Sequence, residues 1–377
     1  MSKRMLFIIP LASSYKLFLK ELGDKMLMEG YEIYVLTCNS QNIRIENVKI
    51  ISIDIPRSIN PIKHFRCAFK IKQVVKRIKP HIIHVHFSST IFTVALAKNS
   101  QWPFTIATFH GVSFPVFPFG LKRKLILMAE VYAASKMDEV WVLTNDDYQA
   151  LNQYIDSPKL HCYKSLGVGC DITRFNKANY STTDIDNIRE TLHILRDDIV
   201  LIYVGRYVHF KGFDLAIRAF LSLQDNQYKL LLLGEKDPIH STGLTVTEEK
   251  QLLQNPNVRR IGQVKNVEDY LAISDIMVFP SRREGMPVCV MEALSMGIPC
   301  IVANSRGCNK LIRQDNGYVL KDISLKSIRE AILQLSKNRM KMYRGETIRK
   351  DRLRYDRTIY IDEQMDIYNH LINRISL

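Results

Sequence analysis

The chain predicts an α/β protein built from two doubly wound, Rossmann-like domains, each with a parallel sheet. Three observations carry this. Short apolar runs alternate with helix-period segments from residue 5 to residue 164. The same alternation restarts at residue 199. Between them, 172–197 is polar, with Asn-Lys-Ala-Asn-Tyr-Ser-Thr-Thr at 176–183, and reads as a linker. Strand–helix alternation makes parallel sheets with both faces covered, and 377 residues suit two such domains. The expected division is 1–171, linker 172–197, and 198–356.

Within the first domain, strands are expected at 5–9, 32–36, 48–53, 81–86, 104–109, 139–143 and 160–164. Helices fall between them at 15–28 (ended by Gly30), 60–78, 90–98, 121–136 and 146–154. Lys3 and Arg4 before an apolar run resemble a signal peptide. Pro10 inside the run, with Lys16 and Lys20 close behind, favours a first buried strand. In the second domain, strands are expected at 199–204, 229–233, 258–261, 276–279, 299–302 and 318–320. Its helices are 215–223, 247–254, 267–272 and one following Pro287 that stops by Gly297 and Pro299, with two more from Ser324. The last carries Ile361, Met365, Tyr368, Ile372 and Ile375 at a four-three spacing, one apolar face that must dock.

A composition of 46% hydrophobic and 24% charged residues excludes a disordered chain. The net charge of +15 calls for an anionic partner: a nucleotide, a nucleic acid or an anionic membrane. Residues 1–170 hold 22 Lys and Arg against 12 Asp and Glu, so the first domain carries the larger excess. Seven dispersed cysteines without a Cys-x2-Cys pair read as reduced thiols, not as a zinc site. No stretch reaches the ~18–20 apolar residues of a membrane span.

The chemistry centres on 280–293, Pro-Ser-Arg-Arg-Glu-Gly-Met-Pro-Val-Cys-Val-Met-Glu-Ala. A strand passing through a glycine-containing loop into a helix makes an anion site, because the first-turn N–H groups lack helical partners and the dipole is positive there. Pro287 suits the first turn, and Gly285, Met286 and Val288 offer backbone N–H groups. Glu284 lies before the helix and Glu292 about one turn inside it. Phosphate at the centre and hydroxyls at both ends describe a nucleotide sugar. Arg206 and Lys211 lie between Gly205 and Gly212 on a strand-to-helix loop, where two cations neutralise a diphosphate; alone they would read as a solvated surface pair.

The 280–293 stretch resembles the Glu-x7-Glu signature of family-four retaining glycosyltransferases. Val204-Gly-Arg-Tyr-Val-His-Phe-Lys-Gly212 is similar to that family's Gly-Arg…Lys-Gly loop, and Thr108-Phe-His-Gly111 to its N-domain histidine motif. Gly167-Val-Gly-Cys-Asp171 with Phe175 is similar to its interdomain signature. The motifs stand in the family's order and the resemblance covers nearly the whole chain. It implies a GT-B fold, two domains facing each other across a cleft, with a final helix, 357–377, crossing back onto the first. It also implies a UDP-sugar donor with its base near Gly262, Gln263 and Val264, Glu284 on the donor sugar and Glu292 on the ribose. His110 would meet the sugar or the reacting centre. No metal or other cofactor is expected, because Arg206 and Lys211 stand where a metal would. Where many members have a Gly-Gly pair after the first strand, this chain has Pro10-Leu-Ala-Ser13-Ser14, and the two serines are the candidate acceptor-side loop.

Other strings read as structural. His84 and His86 lack a third metal ligand, and Asp184-Ile-Asp186 sits in the polar linker, where it suits a helix cap. A nucleotide-sugar epimerase of the same fold is the nearest rival. A basic nucleic-acid-binding protein is a more distant one: no nucleic-acid motif is present, and no nucleic-acid partner is expected. From Arg57 to Lys79 there are eight basic residues and no acidic one: Arg57, Lys63, Arg66, Lys70, Lys72, Lys76, Arg77 and Lys79. Ile62, Phe65, Phe69, Ile71, Val75 and Ile78 supply apolar surface on the same helix. Phe114, Phe117 and Phe119 follow beside Lys122, Arg123 and Lys124. These features predict a cytoplasmic protein lying peripherally on the anionic inner face of the cytoplasmic membrane. The resemblance to family-four glycosyltransferases implies as its acceptor a lipid-linked glycan, as in lipopolysaccharide and O-antigen assembly.

Overall fold

The computed structural model describes residues 3–39, 41–57, 60–313, 315–337 and 351–375. It divides into two compact units, Met1–Val168 with Thr358–Leu377, and Gly169–Arg357. In the first unit the elements are β1 (Lys3–Leu11), α1 (Ala12–Phe18), α2 (Lys20–Met28), β2 (Tyr31–Cys38), β3 (Val48–Ser52) and α3 (Pro61–Ile78). They continue with β4 (Ile82–His86), α4 (Ser88–Ala97), β5 (Phe104–Phe109), α5 (Leu121–Ser135), β6 (Glu139–Val142), α6 (Asn145–Asn152) and β7 (Leu160–Cys162). Among the described residues the strands form one parallel sheet in the order β3-β2-β1-β4-β5-β6-β7.

Alternate side chains of the central strands feed two cores, as a period of two demands. Leu6, Ile8, Ile83, Val85, Ala107 and Phe109 pack under one layer with Ile71 and Val75 of α3, Val94 of α4 and Ala133 of α5. Met5, Phe7, Ile9, Ile82 and Ile106 pack under the other with Tyr15, Leu22 and Met26. That second layer is completed by the C-terminal helix through Ile361, Met365, Tyr368 and Ile372. The side chain of Ile375 and residues 376–377 lie outside the described residues.

The second unit contains α7 (Thr182–Thr191), β8 (Ile199–Val204), α8 (Phe213–Leu221), β9 (Tyr228–Leu233), α9 (Val246–Gln254), β10 (Val258–Gly262) and α10 (Val267–Ala272). It continues with β11 (Ile276–Phe279), α11 (Val288–Ser295), β12 (Cys300–Ala303), β13 (Gly317–Leu320) and α12 (Leu325–Lys337). The C-terminal helix, α13, is Arg357–Ile375. The second sheet is parallel in the order β10-β9-β8-β11-β12-β13. In such sheets ligands bind at the carboxyl ends of the strands where the order reverses, here β8 and β11.

Three expectations change. The stretch 10–14 is not a loop: β1 runs to Leu11 and α1 starts at Ala12, because buried Ala12 and Tyr15 carry the core face straight into the helix. The expected helix 15–28 is broken at Leu19, whose φ of −126° and ψ of −4° leave the helical region. The polar stretch 172–197 lies inside the second unit and holds α7, which Ser181 starts through a capping box with Asp184. Asp184 is thus a helix-capping group.

Candidate active site

The residues after β8 and β11 meet. β8 leads through Gly205 and Arg206 to a single turn at His209–Lys211. Gly212 then starts α8 with a φ of 73°, packed so closely on the Pro280 backbone that a Cβ would overlap it. This brings Lys211 to Glu284. The ammonium donates to both carboxylate oxygens, at 2.5 Å to Oε1 and 2.7 Å to Oε2, and the Ser281 hydroxyl donates to Oε1 at 2.7 Å. Lys211 also lies over the Phe279 ring. An ammonium has three donors, so one remains after Glu284 has taken two.

Arg206 is half-exposed and pairs with Asp237 Oδ2 at 2.5 Å. Asp237 is held by His240 Nδ1 at 2.8 Å and by the N–H groups of Ile239 and His240. Burial opposes its charge, but the bonds from His240, Ile239 and Arg206 prevail and hold the carboxyl below its ordinary range. Each cation expected at the diphosphate is thus held by a carboxylate, Lys211 largely shielded and Arg206 half-exposed.

Pro287 stands just outside α11 as its N-cap, not in the first turn, and no side chain caps the helix. With φ +80°, Gly307 lies against the Gly285 carbonyl where a Cβ could not fit. Met286 is buried and Val288 half-buried. The Glu292 carboxylate makes no hydrogen bond among the described residues, while its backbone carbonyl accepts from the Met296 N–H. Burial pushes its carboxyl up to about 7, with Arg357 and Arg174 working the other way and Glu268 adding to the rise. Gln263 is exposed and Val264 half-buried after β10. Arg174 fixes this loop by donating to the Lys265 carbonyl and forking onto Glu268 at 2.8 and 2.6 Å.

In the first unit, His110 follows β5. It stacks on Phe87 with ring centroids 4.3 Å apart and an interplanar angle of 15°, and Phe18 lies 5.5 Å away. Its Nε2 is 3.0 Å from His86 Nδ1. His84 is fully buried between Tyr368 (2.6 Å) and Thr108 (2.7 Å). Ser13 is exposed and Ser14 half-buried in α1.

The basic surface differs from expectation in one respect. Ile71, Val75 and Ile78 of α3 are core residues, whereas Ile62, Phe65 and Phe69 are exposed, the two rings by 61% and 64%. Lys63, Arg66, Lys70, Lys76 and Arg77 are exposed beside them. Likewise Phe114 is buried and Phe117 is half-buried beneath Lys122, but Phe119 is 90% exposed under Arg123. Lys124, Leu121, Leu125 and Met128 extend that exposed face along α5.

Asp237, Ser281 and Gly307 escaped sequence reasoning. Asp237 had a usable signal, a carboxylate close behind the Gly234 that ends β9, the strand beside β8.

Residues 184–351 match the family described as glycosyl transferases group 1, and 6–144 match glycosyl transferase 4-like. The chain is 29% identical over 276 residues to a Bacillus subtilis glycosyltransferase named for teichuronic acid biosynthesis, covering 71% of this chain and 65%, just under two thirds, of the relative. It is 27% identical over 300 residues to a UDP-Gal:alpha-D-GlcNAc-diphosphoundecaprenol alpha-1,3-galactosyltransferase of Escherichia coli, covering 75% and 73% of the two chains. Sucrose-phosphate synthase from Thermosynechococcus elongatus superposes with a TM-score of 0.81 at 17% identity, over 99% of this chain and 100% of the other. That likeness concerns fold alone, and the fold is GT-B.

Proposed function

Because the chain belongs to the group 1 glycosyltransferases, we propose that it is a retaining, metal-independent enzyme moving a sugar from a UDP-sugar to a hydroxyl of a lipid-linked glycan. The observation that carries the reading is the Lys211–Glu284 pair at the reversal point of the second sheet, beside the uncapped start of α11. The E. coli relative's UDP donor and diphosphoundecaprenol acceptor support the choice of substrates.

In this mechanism the acceptor hydroxyl attacks the anomeric carbon on the face the diphosphate leaves. The anomeric C–O bond breaks with its electron pair going to the diphosphate, and the acceptor's proton passes to the departing phosphate oxygen. Lys211 uses its remaining donor, and Arg206 its guanidinium, on the charge that grows there. The Glu284 carboxylate lies toward the sugar, where positive charge develops. No protein nucleophile is required. The test is transfer from a panel of nucleotide sugars in excess EDTA. UDP-sugar-dependent transfer that survives EDTA is expected; loss with rescue by Mn2+ would overturn the metal-independent reading.

We further assign the exposed faces of α3 and α5 to an anionic membrane. Ile62, Phe65, Phe69 and Phe119 are exposed apolar groups within a basic surface. Each Lys or Arg near such a surface contributes about 1 kcal/mol, so four or five together hold the protein reversibly. No helix among the described residues is long and apolar enough to cross a membrane; the proposed binding is peripheral, at the inner face. Flotation with anionic liposomes should recover the protein and neutral liposomes should not. Salt should weaken binding, and Arg66→Glu with Lys70→Glu, or Phe65→Ser with Phe69→Ser, should abolish it. Equal recovery with both lipids would remove the assignment.

A further inference from the structure

β4 ends at His86 and its neighbour β5 runs out into His110. His86 Nδ1 and His110 Nε2 are 3.0 Å apart. Burial lowers the pKa of both rings, His110 to about 3 and His86 well below its ordinary value. Both are therefore neutral, each with a single N–H, and one proton lies between the two facing nitrogens.

The far side of His86 decides which ring owns it. His86 is fully buried, and its Nε2 has no hydrogen-bond partner among the described residues. If His110 donated from Nε2, His86 would carry its own proton on Nε2 and bury an N–H with no acceptor. If His86 donates from Nδ1, its Nε2 buries only a lone pair. Orphaned buried N–H groups are the rarer and costlier arrangement.

We propose that His86 is a positioning residue whose Nδ1–H donates to His110 Nε2 and locks His110 in the tautomer protonated at Nδ1. His110 then offers a donor to a sugar oxygen and is neither an acceptor nor a base. This rests on the reading that His110 meets the transferred sugar.

The surroundings hold the ring for this task. Phe87, stacked on His110, has a φ of 72° and ψ of 138°, a strained conformation for a bulky residue. Its N–H donates to the Thr108 carbonyl, one residue into the motif that presents His110. His84 is locked the same way. The Tyr368 hydroxyl donates to Gln364, so it accepts from His84 Nδ1–H, and His84 Nε2 accepts from Thr108.

The experiment is 15N NMR of the histidine side chains in the full chain, with turnover and UDP affinity measured beside it. Wild type should show His110 protonated at Nδ1 and bare at Nε2. His86→Leu should move His110's proton at least partly to Nε2 and lower kcat about tenfold, the scale of one hydrogen bond, with UDP affinity unchanged. His86→Asn sets an amide N–H where Nδ1 stood and should restore both tautomer and kcat. His86→Gln sets it at the Nε2 position and should restore neither. A wild-type His110 protonated at Nε2, or an unchanged tautomer in His86→Leu, would overturn the inference; the first needs no variant to fold. Unchanged turnover in His110→Ala would instead overturn the reading on which it rests, whatever the tautomer.

Discussion

Lys211→Ala should lower turnover by about 10²–10³, the scale for losing one preorganised donor to transition-state charge. The same change should also destabilise the second unit. The Glu284 side chain is only 9% exposed, and without the ammonium it keeps one hydroxyl donor. Breaking a buried pair from one side costs about 3–5 kcal/mol. Lys211→Met with Glu284→Gln should recover most of that stability, because no charge is left behind, and should recover no turnover. Arg206→Ala should cut turnover on the same scale with a smaller effect on stability, since its pair with Asp237 is half-exposed. Near wild-type turnover in both single variants would remove the diphosphate assignment. Denaturant melts read beside the kinetics separate the two losses.

The two carboxylates should fail differently. Glu284→Gln should damage kcat more than donor affinity, because its charge acts most strongly as the sugar becomes cationic. Glu292→Ala should weaken donor binding. Glu292 adds a pH dependence. In the proposed role ribose hydroxyls would donate to the ionised carboxylate, and burial has pushed that carboxyl up to about 7, with Arg357, Arg174 and Glu268 around it. Binding therefore favours proton release. Affinity for UDP-glucose, whose diphosphate diester does not titrate near neutrality, should be flat above pH 7 and fall by up to about tenfold per unit below it. Glu292→Gln should lose this dependence. A drop in UDP affinity for Glu284→Gln with none for Glu292→Ala would reverse the two roles.

Much of this was legible because the features involved are local. Strand runs such as 199–204 and 276–279 are apolar and short, and each motif follows its strand directly. The helix at 182–191 shows in the sequence only as the cap at Asp184, because its stretch is polar and has no apolar periodicity. The run through Pro10 was misjudged because a strand passing into a helix without a turn leaves no glycine to mark it. At the site, residue types could be named but partners could not. That Lys211 is held by Glu284, 73 residues away, and Arg206 by Asp237, depends on sheet order. A helical spacing likewise cannot say which of Ile62, Phe69 and Ile71 faces water; packing of α3 on α4 decided it.

The proposed mechanism stands on transfer with retention. The direct measurement is the anomeric configuration of the product formed from an α-linked UDP-sugar and a polyprenyl-diphosphate-linked acceptor, read by the NMR coupling at the newly joined carbon. An α-linked product is expected, formed in EDTA and lost in Lys211→Ala. A β-linked product would contradict it, because same-face departure and attack cannot invert the carbon.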